Sequence, residues 1–329
     1  MKAGTSRFLQ LLTMGVIFAL GHTFALGQAY PSRPVTIVNP LASGGGADFF
    51  LRALALEMQP LMGQPVLVES RPGAGGLIAG EFVARGKPDG YRIGDFRVAQ
   101  ANPEIFTALR KPTYSIDELK FVVRVFYLPS ALISKVQAPW RNMREFVKFV
   151  QDNPGKITFA RTSGEGDPLH LLTLAMFKKN RMRAVEVPFK GAGDAIVALL
   201  GGHVDAGFPF SIAGVQGHVD AGKLAVFAVD SPQRIALFPD IPTLKELGFD
   251  PEMAPNYHLF AVAKGTSDPV VRKIHDTVKA AMETTAIREF ARKNVIELYY
   301  GAEKDMLEEL ERNRKEIMPL IDELLKGQR

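Results

Sequence analysis

The first hundred residues contain the stretch Val35-Thr36-Ile37-Val38-Asn39-Pro40-Leu41-Ala42-Ser43-Gly44-Gly45-Gly46-Ala47-Asp48. Its first four residues are all β-branched, which is typical of a buried strand. Apolar residues then recur at helical spacing over 47–62, through Phe50, Leu54 and Met58. The three glycines between the two patterns permit a tight turn and leave backbone N–H groups open at the start of a helix. The stretch therefore predicts a strand, a glycine turn and a helix in succession.

The same order of strand, turn and helix recurs along the chain. Strands are predicted at 35–38, 66–68, 91–93, 121–125, 131–134, 157–160, 185–187, 204–208 and 224–229, and helices at 47–62, 76–85, 141–152, 168–180, 193–200, 269–283 and 302–325. This alternation favours an α/β fold with parallel, doubly wound sheets. The chain is too long for one such core, so two lobes are expected. Ligands of open α/β sheets bind outside the carboxyl ends of strands, and the loops there are the places to search.

Residues 1–29 are typical of a secretory signal peptide that is removed on export. A positive start, an uncharged apolar run and small residues before the cut lie at Lys2, Arg7, Phe8–Leu20, Gly27 and Ala29. A membrane anchor is the alternative, because the uncharged run from Phe8 to Ala29 is long enough to span a bilayer. The chain has no cysteine, which excludes disulfides and a lipid-bearing cysteine. A free periplasmic protein that begins at Tyr30 is expected.

The charge balance argues against a nucleic-acid partner. The formal net charge is +5, and two of these charges belong to Lys2 and Arg7, which leaves +3 after export. Basic residues are scattered among acidic ones without a basic block, so nucleic-acid binding is not expected. The mild positive balance at most favours anionic ligands.

Four glycine-rich loops follow predicted strands and are candidate anion sites, because free N–H donors and the helix dipole favour negative charge. They are Leu41–Asp48, Arg71–Gly76, Thr162–Asp167 and Pro188–Gly193. Ser43 adds a hydroxyl to the first loop, although a plain turn with Asp48 as a first-turn acid is an equal alternative. Lys190 in the last loop could face a ligand, but a solvated lysine is the more common outcome.

Known catalytic and cofactor motifs do not fit these loops. With Gly73 or Gly191 as the first glycine of a dinucleotide fingerprint, the third position falls at Ile78 or Ile196. Ser163 lacks the flanking glycines of a nucleophile elbow, and no Gly-Lys-Ser/Thr sequence forms a phosphate loop. Five histidines remain after export, none at metal-site spacing: His170, His203, His218, His258 and His275. The sequence thus predicts no catalytic residue, no metal site, no cofactor and no enzymatic activity.

Taken together and in order, the loops resemble the extracytoplasmic solute receptors of tripartite tricarboxylate transporters, the Bug-type family. The motifs span nearly the whole chain after residue 29: Tyr30-Pro31-Ser32-Arg33-Pro34-Val35, Gly44-Gly45-Gly46-Ala47-Asp48, Gly63-Gln64-Pro65-Val66, Arg71-Pro72-Gly73-Ala74-Gly75-Gly76, Lys87-Pro88-Asp89-Gly90-Tyr91, Pro188-Phe189-Lys190-Gly191-Ala192-Gly193, Leu200-Gly201-Gly202-His203-Val204-Asp205, Ala221-Gly222-Lys223-Leu224 and Phe238-Pro239-Asp240-Ile241-Pro242-Thr243-Leu244. Each motif alone is weak, whereas the ordered set is specific.

The resemblance implies a type II periplasmic-binding fold, in which two lobes close like a Venus flytrap. Residues 30–129 and 255–329 would form lobe 1, and 130–254 lobe 2. The implied function is capture of a small carboxylate, namely an organic acid, an acidic amino acid or an aromatic acid. A monomeric receptor would deliver it to the membrane permease subunits of the transporter. A sensory receptor that feeds a two-component kinase is the alternative, and an exported enzyme on the same fold is a weaker one.

The resemblance also implies which residues contact the ligand. Loops after the first and second strands would hold a carboxylate through backbone groups and bridging waters, and lobe 2 would add further contacts. The implied ligand-binding residues are Leu41, Ala42, Ser43, Gly44, Gly45, Gly46, Ala47, Asp48, Gly73, Ala74, Gly75, Arg97, Arg161, Thr162, Ser163, Gly164, Lys190, Gly191, Asp205, Phe208 and Tyr257. Phe49 would help to shape the pocket.

Some residues at the implied site depart from the family pattern. Arg97 and Arg161 stand where relatives commonly have small residues, and Pro209 stands where many have an aspartate. Either arginine could pair with a second carboxylate, or it could face solvent. The ligand pocket is therefore expected to have diverged from those of common relatives.

Overall fold

The computed structural model describes residues 30–97, 101, 103, 112–162, 168–189, 191–231, 233–248 and 257–301, together with several positions between 306 and 319. The strands are β1 Val35–Asn39, β2 Val66–Ser70, β3 Arg92–Arg97, β4 Leu119–Tyr127, β5 Ser130–Lys135, β6 Thr158–Arg161, β7 Val185–Pro188, β8 Ala206–Ser211, β9 Leu224–Asp230, β10 Tyr257–Ala263 and β11 Glu297–Gly301. The helices are α1 Gly46–Met62, α2 Leu77–Ala84, α3 Met143–Asp152, α4 Pro168–Lys179, α5 Ala192–Gly201, α6 Ile212–Asp220, α7 Asp268–Glu283 and α8 Thr285–Lys293.

The strands form two sheets. The first has the order β11-β4-β10-β3-β1-β2, and the second has the order β7-β6-β8-β5-β9. The parallel pairing expected from the alternation of strands and helices is found for β2-β1-β3 and for β7-β6-β8. The other pairings are antiparallel. Both sheets are therefore mixed, with a parallel trio extended by antiparallel strands.

The four strands that lead the chain from one sheet to the other, β4, β5, β9 and β10, all lie in antiparallel pairs. Only residues 128–129 separate β4 from β5, too few for the helix that joins parallel neighbours in one sheet. The return path runs from β9 to β10 through 231–256. The first sheet thus contains strands from both ends of the chain, whereas the second sheet is built from one continuous segment.

Helix α1 shows how the sequence pattern positions the first glycine loop. Phe50, Leu54 and Met58 are buried against the first sheet, as their spacing predicts. The helix ends where Gly63 adopts a left-handed conformation with φ of 68°, and the Gly63 N–H donates to the Gln59 carbonyl. The apolar face therefore fixes the helix on the sheet, and its first turn lies beside the end of β1.

The structure confirms the predicted elements to within a few residues, where it describes them, and adds four others. Helix α6, helix α8, strand β10 and strand β11 were not predicted. Two glycines interrupt the helical pattern of α6. Helix α8 follows α7 directly because Thr284 is extended and its Oγ1 accepts a hydrogen bond from the Ile287 N–H at 3.3 Å. Most of the predicted helix at 302–325 lies outside the described residues.

Close packing of β8 against β6 depends on Gly207. A methyl group there would lie 2.8 Å from the Ala160 Cβ and 2.9 Å from the Ala160 carbonyl oxygen. Gly207→Ala should therefore lower the free energy of unfolding by about 1–3 kcal/mol, measured by urea titration. Gly217→Ala, where an added methyl meets nothing within 4 Å, is the control and should not destabilise the protein. Equal stability of the Gly207 variant and the wild type would contradict this packing argument.

Candidate functional site

The strand register places the strand ends from which the candidate loops start at one end of each sheet. In the first sheet Asn39 pairs with Ser70, and Arg97 pairs with His258 on the neighbouring β10. In the second sheet Arg161 pairs with Phe208. The link between the sheets lies at the same edge, since a methyl group on Gly46 would be 3.5 Å from the Leu128 side chain. The loops after β1 and β2, and the end of β6, therefore lie at the ends of the sheets where the chain crosses from one sheet to the other.

Asp48 organises the loop after β1. Its buried carboxylate accepts hydrogen bonds at 3.0 Å from the Gly44 N–H and from Nε and Nη2 of Arg52. Asn39 Nδ2 and Ser70 Oγ lie 3.3 and 3.4 Å from the same carboxylate. Burial alone would raise the pKa of Asp48, but the Arg52 and Gly44 hydrogen bonds outweigh it and hold the pKa below its ordinary value. The carboxylate is therefore charged and fixes the shape of the loop.

Asn39 and Ser70 join the first two loops. The Leu41 N–H donates to Asn39 Oδ1 at 2.9 Å, and Ser43 Oγ donates to Ser70 Oγ at 3.0 Å. The Arg71 N–H donates to the Asn39 carbonyl at 2.8 Å. The predicted donors of the β1 loop and the β2 loop are thus held in one hydrogen-bonded unit.

Asp48 accepts a hydrogen bond from one amide of the glycine loop, and the next amides lie at the start of helix α1. Gly44 has φ of 87°, which L side chains rarely adopt, and this conformation turns its N–H toward Asp48. The amides of Gly45, Gly46 and Ala47 follow at the start of α1, where N–H groups have no partner within the helix. This end of α1 is therefore suited to an anion.

The loop after β2 is built from residues with positive φ. Gly73, Ala74, Gly75 and Gly76 have φ values of 126°, 50°, 68° and 95°. A methyl group on Gly73 would lie 2.7 Å from the Ile78 Cδ1. The turn therefore has a backbone conformation that favours glycine, and the Ile78 side chain lies beside Gly73.

Arg97 lies beside a buried histidine–aspartate pair. His258 Nδ1 is 2.8 Å from Asp95 Oδ2, both side chains are fully buried, and the Phe126 ring stacks on the imidazole at 4.1 Å. Arg97 itself is buried at the end of β3. The pair is enclosed by the core and joins β3 to β10, with Phe126 of β4 packed on the imidazole.

Arg161 has an acidic partner within its own sheet. Its Nε lies 3.5 Å from Glu186 Oε2, and His170 Nε2 lies 3.1 Å from the same oxygen. Thr162 Oγ1 donates to the Pro209 carbonyl at 2.6 Å. The strand ends of β6 and β8 are therefore tied together, and Glu186 balances the charge of Arg161.

The remaining predicted residues are placed differently from one another. Asp205 accepts hydrogen bonds from Thr158, which lies at the opposite end of β6 from Arg161. The structure therefore does not place Asp205 at the strand ends where the other candidate residues lie. Phe208 and Tyr257 lie in the core, whereas the Phe49 side chain is 55% exposed. Gly191 precedes α5 as its N-cap. Ser163, Gly164 and Lys190 lie outside the described residues.

Polar contacts between the two sheets lie beside the crossing segments. Tyr127 Oη donates to Asp230 Oδ1 at 2.9 Å, and Ser231 Oγ donates to Glu297 Oε1 at 3.0 Å. Burial raises the pKa of Asp230 to about 7, although the Tyr127 hydrogen bond opposes the rise. Burial likewise raises the pKa of Glu297 above its ordinary value. These contacts couple the end of β9 to β4 and β11.

Sequence reasoning missed several polar residues of this site. Asn39 and Ser70 both end apolar strands, and polar residues at two neighbouring strand ends are a signal that could have found them. Tyr127 and Asp230 also end strands, but their contact joins different sheets, and the sequence gives no sign of that pairing or of the contact of Glu297. Within the described part of the chain, no cluster of three or more His, Asp or Glu side chains suits a metal ion, and no helix is long and apolar enough to cross a membrane.

Comparisons with known proteins agree with this architecture. The family model described as "Tripartite tricarboxylate transporter family receptor" matches residues 50–325. The UPF0065 protein from the gbd 5′ region of Cupriavidus necator is 31% identical over 279 residues, 84% of this chain and 83% of its own. The periplasmic binding protein BugD is 28% identical with a TM-score of 0.71, over 90% of this chain and 97% of its own.

A third similar protein is MatC of Rhodopseudomonas palustris, solved with bound malate. It is 25% identical with a TM-score of 0.74, over 90% of this chain and all of its own. These matches confirm the two-lobed periplasmic-binding fold and the resemblance to Bug-type receptors expected from the ordered motifs. The chain therefore belongs to the tripartite tricarboxylate transporter receptor family.

Proposed function

We propose that this protein captures a small carboxylate between its two lobes and delivers it to the membrane subunits of a tripartite tricarboxylate transporter. The observation that carries the proposal is the fixed glycine loop at the start of α1. The Gly44 N–H donates to Asp48, and the amides that follow lie at the helix N-terminus. MatC, a structural relative, was solved with the dicarboxylate malate. Backbone donors fixed in this way suit a carboxylate, because they need no rearrangement when the anion arrives.

Capture requires binding and closure rather than bond chemistry. A carboxylate would satisfy the amides of the first two loops in lobe 1, and the Arg161–Thr162 strand end would approach it from lobe 2. The lobes would move about the crossing segments 128–129 and 231–256, which joins ligand contact to a change of shape. The closed shape would then be the form that the permease subunits bind.

The wider assignments follow from the same family membership. Residues 1–29 would direct export and be removed, so the working protein would be a periplasmic chain without a lipid anchor. Lobe 1 would comprise 30–129 and 255–329, and lobe 2 would comprise 130–254, in keeping with the strands of each sheet. The receptor would act as a monomer without a cofactor, and an enzymatic role is disfavoured because the family is a class of solute receptors.

Thermal unfolding of residues 30–329 with a panel of carboxylates tests the proposal. A ligand at about 100 times its dissociation constant should add roughly 2.7 kcal/mol to the free energy of unfolding. Mono-, di- and tricarboxylates, acidic amino acids and aromatic acids would be compared with chloride at equal ionic strength. Unchanged melting with every acid, for folded protein freed of co-purified ligand, would contradict a carboxylate receptor.

Gly45→Ala should separate the ligand site from the fold. Gly45 has φ of −87°, and a methyl group there meets only the Ala42 carbonyl oxygen, at 3.9 Å. The variant should keep its free energy of unfolding within about 1 kcal/mol, while the added methyl obstructs the amides beside it. We expect at least a tenfold loss of carboxylate affinity by calorimetry, with Gly217→Ala unchanged. Undiminished affinity in Gly45→Ala would place the carboxylate elsewhere.

A further inference from the structure

We infer that the cleft binds ligands with one carboxylate and an apolar body, an aliphatic or aromatic monocarboxylate, in preference to compact di- and tricarboxylates. The inference rests on the proposed function and narrows it. Two features of the described residues carry it: large apolar side chains exposed beside both carboxylate loops, and acidic partners already present beside the arginines of the same loops.

Each of the two loops in lobe 1 is followed by an exposed apolar side chain. Phe49 follows the first glycine loop and is 55% exposed, and Ile78 follows the second and is 49% exposed. Both lie in the first turn of a helix, α1 and α2 respectively. Because β1 and β2 are parallel neighbours, the two loops that precede these side chains start at the same end of the sheet.

Helix geometry brings Ile78 over its loop, and Phe49 occupies the corresponding first turn of α1. The Cα–Cβ bonds of a helix tilt toward its N-terminus, so first-turn residues cover the turn that precedes them. Ile78 does so, since its Cδ1 would lie 2.7 Å from a methyl group on Gly73. An apolar ligand body attached to a carboxylate on these loops would therefore contact Phe49 and Ile78 and remove them from water.

The arginines of the same loops are already matched by acids. Arg52 binds the Asp48 carboxylate through two nitrogens, and Arg71 lies 2.6 Å from Glu69 Oε1 with its guanidinium stacked on the Phe82 ring. Across the cleft, Arg161 lies beside Glu186. A second ligand carboxylate would therefore meet ion pairs without net positive charge and would gain little from arginines that already have acidic partners.

Two other arginines lie deeper in lobe 1. Arg124 is 8% exposed, its guanidinium stacks on the Tyr299 ring at 4.0 Å, and a methyl group on Gly301 would lie 2.7 Å from its Nε. Its packing between β4 and β11 makes it part of the core. Among the described residues, Arg97, also 8% exposed, is a cation that could hold a second carboxylate, and tighter binding of dicarboxylates through it is the rival outcome.

Calorimetry with matched acids on residues 30–329 tests the inference. Hexanoate would be compared with adipate, and benzoate with terephthalate, at one ionic strength. We expect each monocarboxylate to bind at least tenfold more tightly than its dicarboxylate. A tighter dicarboxylate, with the preference lost in Arg97→Ala, would overturn this inference and leave the carboxylate receptor intact. Absence of binding in both series, and in the wider panel above, would overturn both.

Variants of the two apolar residues provide a second readout. Phe49→Ala and Ile78→Ala should each weaken hexanoate binding by about tenfold and leave acetate, which has almost no apolar body, nearly unchanged. Leu56→Ala is the matched control, because Leu56 is a 64% exposed apolar residue farther along the same helix. Hexanoate affinity that is equal in all three variants and the wild type would overturn the apolar contact.

Discussion

Replacement of Asp48 by asparagine is expected to lower the free energy of unfolding by about 2–3 kcal/mol and to abolish carboxylate binding. The buried carboxylate accepts hydrogen bonds from Gly44, from Nε and Nη2 of Arg52, from Asn39 and from Ser70. Hydrogen bonds to a charged group contribute more to stability than those between neutral groups. The loss stays below that of a fully buried ion pair because the Arg52 side chain is about half exposed and keeps its water.

The pH dependence of stability provides a second test of Asp48. Its folded-state pKa is lowered, so the stabilisation is present above the unfolded pKa of about 4 and is lost as the pH falls through the folded value. Wild type and Asp48→Asn should therefore approach each other in urea titrations as the pH falls below about 4.

Asp152→Asn is the matched control for Asp48, because this aspartate forms an exposed pair with Lys148 on α3. It should change stability by less than about 1 kcal/mol and leave ligand affinity unchanged. An Asp48→Asn variant that binds carboxylates as the wild type does would show that the glycine loop needs no fixed shape.

Replacement of Asp230 by asparagine is expected to act in the opposite direction and to stabilise the protein at pH 8 by up to about 4 kcal/mol. The carboxyl is fully buried and its pKa is raised to about 7, from about 4 in the unfolded chain. A raised folded-state pKa means that the native state binds the proton more tightly. Asp230 therefore costs stability progressively as the pH rises from about 4 to about 7, and the cost is complete above that range.

Neighbouring groups also affect how the stability contribution of Asp230 changes with pH. Tyr127 donates to Asp230, and the pKa of Glu297, bonded to the adjacent Ser231, is also raised by burial. Urea titrations between pH 4 and 8 should show stability falling in the wild type and a flatter profile in Asp230→Asn, with a residual slope from Glu297. Asp152→Asn should retain the wild-type slope. A destabilised Asp230→Asn variant at pH 8 would mean that the charged carboxyl is favoured in the fold.

The sequence allowed the first loop and helix α1 to be predicted because their signals are local. Three glycines, a β-branched strand before them and apolar residues at helical spacing all lie within about 30 residues. Asp48 was predicted as a site residue, but its role was not. The groups that donate to Asp48 belong to Gly44, Arg52, Asn39 and Ser70. Only the fold brings Asn39 and Ser70 close to the other two residues.

Residues whose roles depend on long-range pairing could not be assigned from the sequence. Arg161 was a candidate for a second carboxylate, yet Glu186 lies beside it on the adjacent strand, a contact that no spacing along the chain reveals. Asp205 was grouped with Phe208 as part of one strand end, whereas in the structure Asp205 contacts Thr158 at one end of β6 and Phe208 pairs with Arg161 at the other. The antiparallel pairing of β4, β5 and β9 was not predicted for a similar reason, since alternation of elements does not specify strand direction.

The place of β10 in the first sheet has a consequence for the order in which an exported chain can fold. β10 lies between β3 and β4, so these two strands have no common neighbour until residues 257–263 are available. The segment from β5 to β9 needs no later strand to complete its sheet. As the chain emerges from a membrane, the second sheet can therefore close first, and the edges of β3 and β4 stay open to wrong partners until β10 arrives.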